Sequence, residues 1–269
     1  MDELTTTHWA LLALGSFIMG MSKGGLPGAG NLTVAIFVLV MEDALGPIGV
    51  PLSVGLLLPV LISADFTATI VYRRHADWGY ILRLLPCFLI GTLLGWWVFD
   101  FFQGGQERVG LLKILIGVIL LSMTVLHFGI KYRKTQKSKG STPERSSTAR
   151  PKGSIGLGVL FGLVGGVATM LANAAGPIAQ LYLLVMRLPK YAFIGTSAWL
   201  FLIVNICKVP LMVDLQIITL ESSKVSAWMF IPAMIGAATA PYVVKHLNQK
   251  LFENLLWFFI VLAGLRMLV

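Results

Sequence analysis

The sequence predicts an all-α integral membrane protein, with about eight to ten membrane segments in two inverted-topology repeats whose helices are in places broken or re-entrant. Three observations carry that prediction: the composition, the charge pattern between apolar runs, and a correspondence between the two halves of the chain. Of 269 residues, 57% are apolar and only 12% are charged, whereas a soluble domain carries about 25% charged residues. No soluble fold hides so much apolar surface from water, so the solvent is lipid. A cytosolic enzyme, a nucleic-acid binder and a disulfide-stapled secreted protein are thereby excluded. Cys87 and Cys207 fall in apolar stretches and read as packing residues, not as a redox pair or metal site. The chain opens with acidic residues and its first basic residue is Lys23, so no secretory signal peptide is predicted.

Apolar runs between polar breaks give ten segments, at about 8–21, 26–41, 47–72, 79–102, 109–130, 155–171, 174–187, 191–213, 226–243 and 251–268. Crossing the hydrocarbon core takes about 20 helical residues. The third, fourth, fifth, eighth, ninth and tenth segments reach that length. The pairs 8–21 with 26–41, and 155–171 with 174–187, are short and glycine-rich. Each pair is either two thin crossings or a re-entrant hairpin, and both readings leave the parity of crossings unchanged.

The loops orient these segments. With the polar stretch 131–152 in the cytoplasm, the inside turns hold Lys23, Arg73, Arg74, Arg187, Lys190, Lys245 and Lys250. The outside turns hold Arg108 and Lys224 among Glu42, Asp43, Glu107, Asp214 and Glu221. Seven basic residues against two satisfy the positive-inside rule, which places both termini outside. The stretch 131–152 carries eight Lys/Arg and one acid, Glu144, and so supplies +7 of the net +9. Its Ser, Thr, Gly and Pro content predicts a mobile cytoplasmic linker. Attachment to anionic lipid is the alternative reading of its charge. Nothing points to nucleic acid.

The linker divides the chain into a first transmembrane repeat, 1–130, and a second, 153–269. Leu39-Val40-Met41 corresponds to Leu184-Val185-Met186, and Gly20 to Gly165 at the same offset. With a one-residue gap Gly49 matches Gly195 and Pro86 matches Pro232, while Ile90-Gly91 falls close to Ile235-Gly236. Each repeat has an odd number of segments, so the two enter the membrane from opposite faces. Secondary transporters of that design bind substrate near the midplane, at interrupted helices in corresponding positions.

Two such interruptions stand out. One contains Ser22, Lys23, Gly24, Gly25, Pro27, Gly28 and Asn31; the other contains Thr169, Asn173, Ala174, Gly176 and Pro177. Glycine and proline release backbone groups from the helical ladder, and in lipid those groups must be satisfied by protein or line a cavity. A helix starting at such a break aims its N–H groups and positive dipole end at the break, which favours an anion. Lys23, the amides of Asn31 and Asn173, and the hydroxyls of Ser22 and Thr169 add donors. The competing readings are close helix packing at the glycines and a topology-setting role for Lys23.

At these residues the chain resembles the sulfite exporter TauE/SafE family, also called the 4-toluene sulfonate uptake permease family. The resemblance rests on the Ser22–Gly30 break, the Thr169–Pro177 stretch, Phe193-Ile194-Gly195-Thr196-Ser197-Ala198-Trp199 and Asn205-Ile206-Cys207-Lys208-Val209-Pro210. It implies a carrier of sulfur-containing anions, such as sulfite or sulfonates, in the cytoplasmic membrane. Where this chain reads Ser22-Lys23-Gly24-Gly25-Leu26-Pro27-Gly28, many relatives have a simpler glycine run with an aromatic, so the substrate need not be sulfite.

Ionisable groups at membrane depth carry a cost that calls for a reason. Lys208 lies in the eighth segment and Asp65 in the third, the corresponding helix of the other half. Under the gapped alignment the two can meet across the pseudo-symmetry axis. Lys208 is therefore a candidate anion contact and Asp65 a candidate carrier of a coupled proton, against a structural ion pair or snorkelling. Arg83, Asp100, Lys113, His127 and Arg266 lie near segment ends and read as interfacial anchors. No metal-ligand spacing, ATP-binding motif or nucleophile–base pair is visible, so neither a cofactor nor an intramembrane enzyme is expected. The expectation is a secondary transporter of small sulfur-containing anions, export favoured; the alternatives are a passive anion channel and an uptake permease coupled to H+ or Na+. The lipid bilayer and a small anion are the expected partners, and a homo-oligomer is compatible with the sequence.

Overall fold

Helix ends follow the local chemistry of the chain. Thr5 caps α1 (Thr6–Lys23) in a capping box with His8: the His8 N–H donates to Thr5 Oγ1, and the Thr5 N–H donates to His8 Nδ1. The chain then passes Gly24 and Gly25 before α2 (Gly30–Leu45). Gly46, at φ 68°, ends α2 in the left-handed region, where glycine adds no Cβ strain. A short 3-10 turn (Gly46–Ile48) leads into α3 (Gly49–Tyr72). A Cβ on Gly49 would collide with the Met41 carbonyl, so this tight reversal requires glycine there. Asp77 caps α4 (Trp78–Gln103) by accepting from the Gly79 N–H at 3.1 Å. Residues 107–119 form α5.

The second half of the chain forms α6 (Ile155–Ala172), α7 (Gly176–Val185), α8 (Lys190–Asp214) and α9 (Leu220–His246). Thr219 and Ser222 cap α9 by exchanging bonds between their side chains and backbone N–H groups. This computed structural model describes residues 3–26, 29–105, 107–119, 121, 122, 125, 155–186 and 188–246. Among them no strand occurs. The basic linker 131–152, the tenth segment at 251–268 and Gly28 lie outside the described residues.

Three stretches of the described residues are long and apolar enough to cross a bilayer: Gly30–Tyr72, Trp78–Gln103 and Tyr191–Asp214. The first holds both α2 and α3, which pack on each other across the Gly46 turn. α9 is long enough at 27 residues, but its alanines, prolines and hydroxyls make it less apolar than the other three. α4 leaves Leu82, Ile90, Leu93, Leu94, Trp97 and Phe101 exposed, Trp97 at 73%. A row of large apolar side chains along one helix face suits hydrocarbon, not water.

Hydrocarbon solvates leucine as well as protein does, so helix contacts here depend on close packing at small residues. α4 lies against α6 and α1 against α9, with α3 central and touching α1, α2, α8 and α9. A Cβ on Gly91 would strike the Leu163 carbonyl of α6; one on Gly236 would strike the Phe17 carbonyl of α1. Gly166 is likewise closed in by Phe88 and Thr92 of α4, and Gly20 by Ala233 and Ala237 of α9. Polar ties reinforce these seams: Ser226 Oγ donates to the Leu56 carbonyl at 2.9 Å, and Thr33 Oγ1 to the Gly15 carbonyl at 2.7 Å. At the far end of α1 from Lys23, His8 meets Asp43 at 3.0 Å, and Lys113 of α5 meets Glu42 at 3.0 Å.

Candidate functional site

Both interruptions of the chain are tied to the same central helix. On one side the Tyr72 hydroxyl, at the end of α3, donates to the Gly24 carbonyl at 3.1 Å. On the other, Asn173 Nδ2 donates to the Val54 carbonyl near the start of α3, at 2.9 Å. These anchors are 72 − 54 = 18 residues apart, about 27 Å along a helix. A pocket of about 800 Å³ of empty space, counting its open mouth, lies between them. Its α3 wall is Leu61 and Asp65; Leu61 is 12 residues from the first residue of α3 and 11 from the last. The pocket is therefore at mid-depth of a helix long enough to span the bilayer.

The first interruption contributes Ser22, Lys23, Gly25 and Asn31 to the wall; the second contributes Thr169, Asn173 and Gly176. α2 and α7 both begin at the pocket, with Gly30 and Gly176 in its lining. Their first-turn N–H groups lack intrahelical acceptors. Gly25 holds φ 137°, a conformation closed to other residues, and Asn173 holds φ 50°, which asparagine tolerates. Gly24 and Ala174 do not line the pocket. Gly24 gives its carbonyl to Tyr72, and the buried Ala174 gives its N–H to the Ala168 carbonyl at 3.3 Å.

Lys23 is not a solvated loop lysine. Its side chain is 16% exposed, with Nζ 2.8 Å from Asp65 Oδ1 and 4.3 Å above the Phe201 ring. Asp65 is fully buried and accepts from Asn205 Nδ2 at 2.8 Å through its other oxygen. The partner expected for Asp65 was Lys208; the structure gives it Lys23 and Asn205. Lys208, also fully buried, donates to Asn173 Oδ1 at 2.6 Å and to the Thr169 carbonyl at 2.7 Å, with Thr169 Oγ1 at 3.3 Å. Those acceptors saturate its three N–H bonds. Lys208 thus closes the C-terminal end of α6, where carbonyls are orphaned and the helix dipole is negative. It stands behind the pocket wall, not in it.

Sequence reasoning missed the wall supplied by α8. Phe193, Ser197, Phe201 and Asn205 recur every four residues and share one helix face, with Ile194 and Ala198 beside them. The stretches Phe193–Trp199 and Asn205–Pro210 carried the family resemblance, and their spacing of four was the available signal. Ser197 Oγ, Asn205 Oδ1 and Asn31 Nδ2 are buried with no hydrogen-bond partner among the described residues. Unpaired polar atoms are costly in low dielectric, so three of them on one small cavity mark a place for a polar guest. Among the described residues no group of three or more His, Cys, Asp or Glu gathers to hold a metal. Helix N-termini, a lysine, an amide and a hydroxyl can bind an anion.

The family model for the sulfite exporter TauE/SafE matches residues 12–267. The chain belongs to this family. TauE/SafE proteins are transporters and not enzymes, which agrees with a polar pocket at the middle of apolar helices. The match takes in both interruptions and the whole α8 face, so every lining residue of the pocket lies inside it. Neither curated proteins nor solved structures give a match to the chain.

Proposed function

We propose that this TauE/SafE protein carries small sulfur-containing anions, sulfite or sulfonates, across the cytoplasmic membrane, and that the mid-depth pocket is its substrate site. One observation carries the reading: the starts of α2 and α7, the Lys23 ammonium and the unpartnered Asn31 amide converge on one cavity. Each is a donor, and together they match the spread oxygens of a tetrahedral or pyramidal oxyanion. Ser22 and Thr169 add hydroxyl-bearing residues to its lining.

Two inverted repeats, 1–130 and 153–269, give this site its access to both sides. Packing reciprocity supports them. Gly91 of α4 abuts Leu163 of α6, and Gly236 of α9 abuts Phe17 of α1. The offsets are 236 − 91 = 145 and 163 − 17 = 146, the same register that relates the two halves in sequence. Each repeat therefore offers its first helix to the fourth helix of the other. On this reading α1–α2 and α6–α7 are the broken elements, and rocking one repeat against the other opens the pocket to each face in turn. The 131–152 linker is cytoplasmic and the termini outside. Removing Lys23 from the inside tally leaves six basic residues against two, and the bias stands. A membrane negative inside expels net negative charge with about 2.3 kcal/mol per charge per 100 mV, so export is the default direction of an anion whose charge crosses uncompensated.

Flux of sulfite, methanesulfonate, sulfate and acetate into vesicles holding the purified protein tests this. Saturable flux is expected, with the sulfur oxyanions preferred over acetate. Lys23→Gln is expected to lower it about tenfold, the worth of one charge-assisted hydrogen bond. Flux linear in concentration indicates a passive channel instead, and equal rates for all four anions remove the sulfur assignment.

A further inference from the structure

Lys23 enters the pocket already holding an anion. Asp65 sits 2.8 Å from its Nζ, belongs to the same pocket wall and is sealed from solvent. A substrate oxyanion seeking the Lys23 ammonium must therefore displace this carboxylate or lie beside it. Two negative charges within a few ångströms in a low-dielectric site are strongly unfavourable, and one proton between them relieves the repulsion. We propose that Asp65 is a built-in competitor for the substrate, so that each anion bound at Lys23 brings one proton onto the Asp65 carboxyl. This rests on the pocket being the anion site, and adds to it how binding is coupled to protons.

The surroundings of Asp65 suit both of its states. As a carboxylate it accepts from Asn205 Nδ2 at 2.8 Å and pairs with Lys23. As a neutral acid it gains one O–H donor. Asn205 Oδ1, buried and unpartnered among the described residues, belongs to the same amide that already touches Asp65. Rotation of that amide by half a turn would present Oδ1 as the acceptor the new donor needs. Released from Asp65, the Lys23 ammonium keeps the Phe201 ring beneath it and turns its N–H bonds to the guest. The charged groups that face Asp65 among the described residues are Lys23 from α1 and Lys208 from α8. Lys208 is held by Thr169 and Asn173. The step balances simply: a proton leaves solvent for a carboxylate oxygen, the Lys23–Asp65 pair opens, and a Lys23–substrate pair forms.

Methanesulfonate is the appropriate probe, because it stays singly charged across the usable pH range. Binding to the purified full chain is followed calorimetrically between about pH 5 and 8 in two buffers of different ionisation enthalpy, which yields the protons taken up. The wild type is expected to take up close to one proton per anion at the alkaline end, with Kd rising about tenfold per pH unit there. Asp65→Asn is expected to bind without proton uptake and with a Kd independent of pH. Binding by the wild type with no proton uptake overturns the coupling while leaving the anion site standing. Uptake that persists in Asp65→Asn places the proton on a group other than Asp65 and also overturns it. If no anion binds to wild type at any pH, the site assignment itself fails, and the coupling with it. Should Asp65→Asn not fold, the proton count of the wild type alone decides.

Discussion

At the scale of single residues, two lysines have opposite duties, Lys23 with a side chain 16% exposed and Lys208 fully buried. Lys23 faces the cavity and Lys208 faces the backbone behind it. The sequence placed Lys208 and Asp65 at membrane depth and Lys23 in an inside turn, and pairing Lys208 with Asp65 by alignment was wrong. An offset in a sequence alignment locates a residue along a helix but not around it. Asn205 and Lys208, three positions apart on α8, point one to Asp65 and the other to Asn173. Lys208→Gln should consequently behave as a stability variant. It leaves Asn173 Oδ1 without its donor, at about 1–3 kcal/mol for a buried group left unpaired, while the Thr169 carbonyl keeps the Asn173 N–H at 3.0 Å. Its denaturation midpoint should fall, while the Kd for methanesulfonate should change less than in Lys23→Gln. Asn173 separates conformation from bonding at the same spot. Asn173→Gly retains the φ of 50° and loses the side-chain bonds to Val54 and Lys208, whereas Asn173→Ala also forces a Cβ into that conformation. The alanine variant should be about 1 kcal/mol less stable than the glycine variant; equal midpoints would show that backbone strain is not set at this residue.

At the scale of elements, apolar runs located the helices well, because lipid removes the ambiguity between buried and exposed faces. The expected 47–72, 79–102 and 191–213 became Gly49–Tyr72, Trp78–Gln103 and Lys190–Asp214. The ends differ where polar caps extend a helix beyond its apolar run, as Thr5 does for α1 and the Thr219–Ser222 pair for α9. Which helices touch was not legible, since a glycine shows only that something can come close. Their partners are now assigned, and they make a paired prediction. Gly91→Leu must push α4 off α6, and Gly236→Leu must push α9 off α1, because in each case the obstacle is a backbone carbonyl that no rotamer change can move. Both should cost more than about 3 kcal/mol, the upper range of overpacking, and appear as loss of folded protein in thermal scans. Gly110→Leu, with no atom within 4 Å of an added Cβ among the described residues, should stay within about 1 kcal/mol of wild type. If the three leucine variants melt alike, the seams are not close-packed at these glycines.

At the scale of the whole molecule, the low charge content sets what crosses the membrane. The pocket itself holds one lysine and one carboxylate, so its resting charge is zero and any charge moved belongs to the guest. On the proposed coupling, an anion bound with one proton moves as a neutral pair if it is monovalent, and with one net negative charge if it is divalent. Voltage separates the two cases. One net charge across 100 mV is worth about 2.3 kcal/mol, or about fiftyfold in the equilibrium ratio of anion across the bilayer. In vesicles clamped with potassium and valinomycin, methanesulfonate should distribute without regard to the potential and follow the pH gradient. Sulfate should accumulate on the positive side. Asp65→Asn should make methanesulfonate respond to voltage, because the charge formerly cancelled by the proton now travels uncancelled. A wild type that already drives methanesulfonate toward the positive side, with no response to pH, would mean that the Lys23–Asp65 pair stays closed while substrate passes. Export would then rest on membrane potential alone, for monovalent and divalent anions alike.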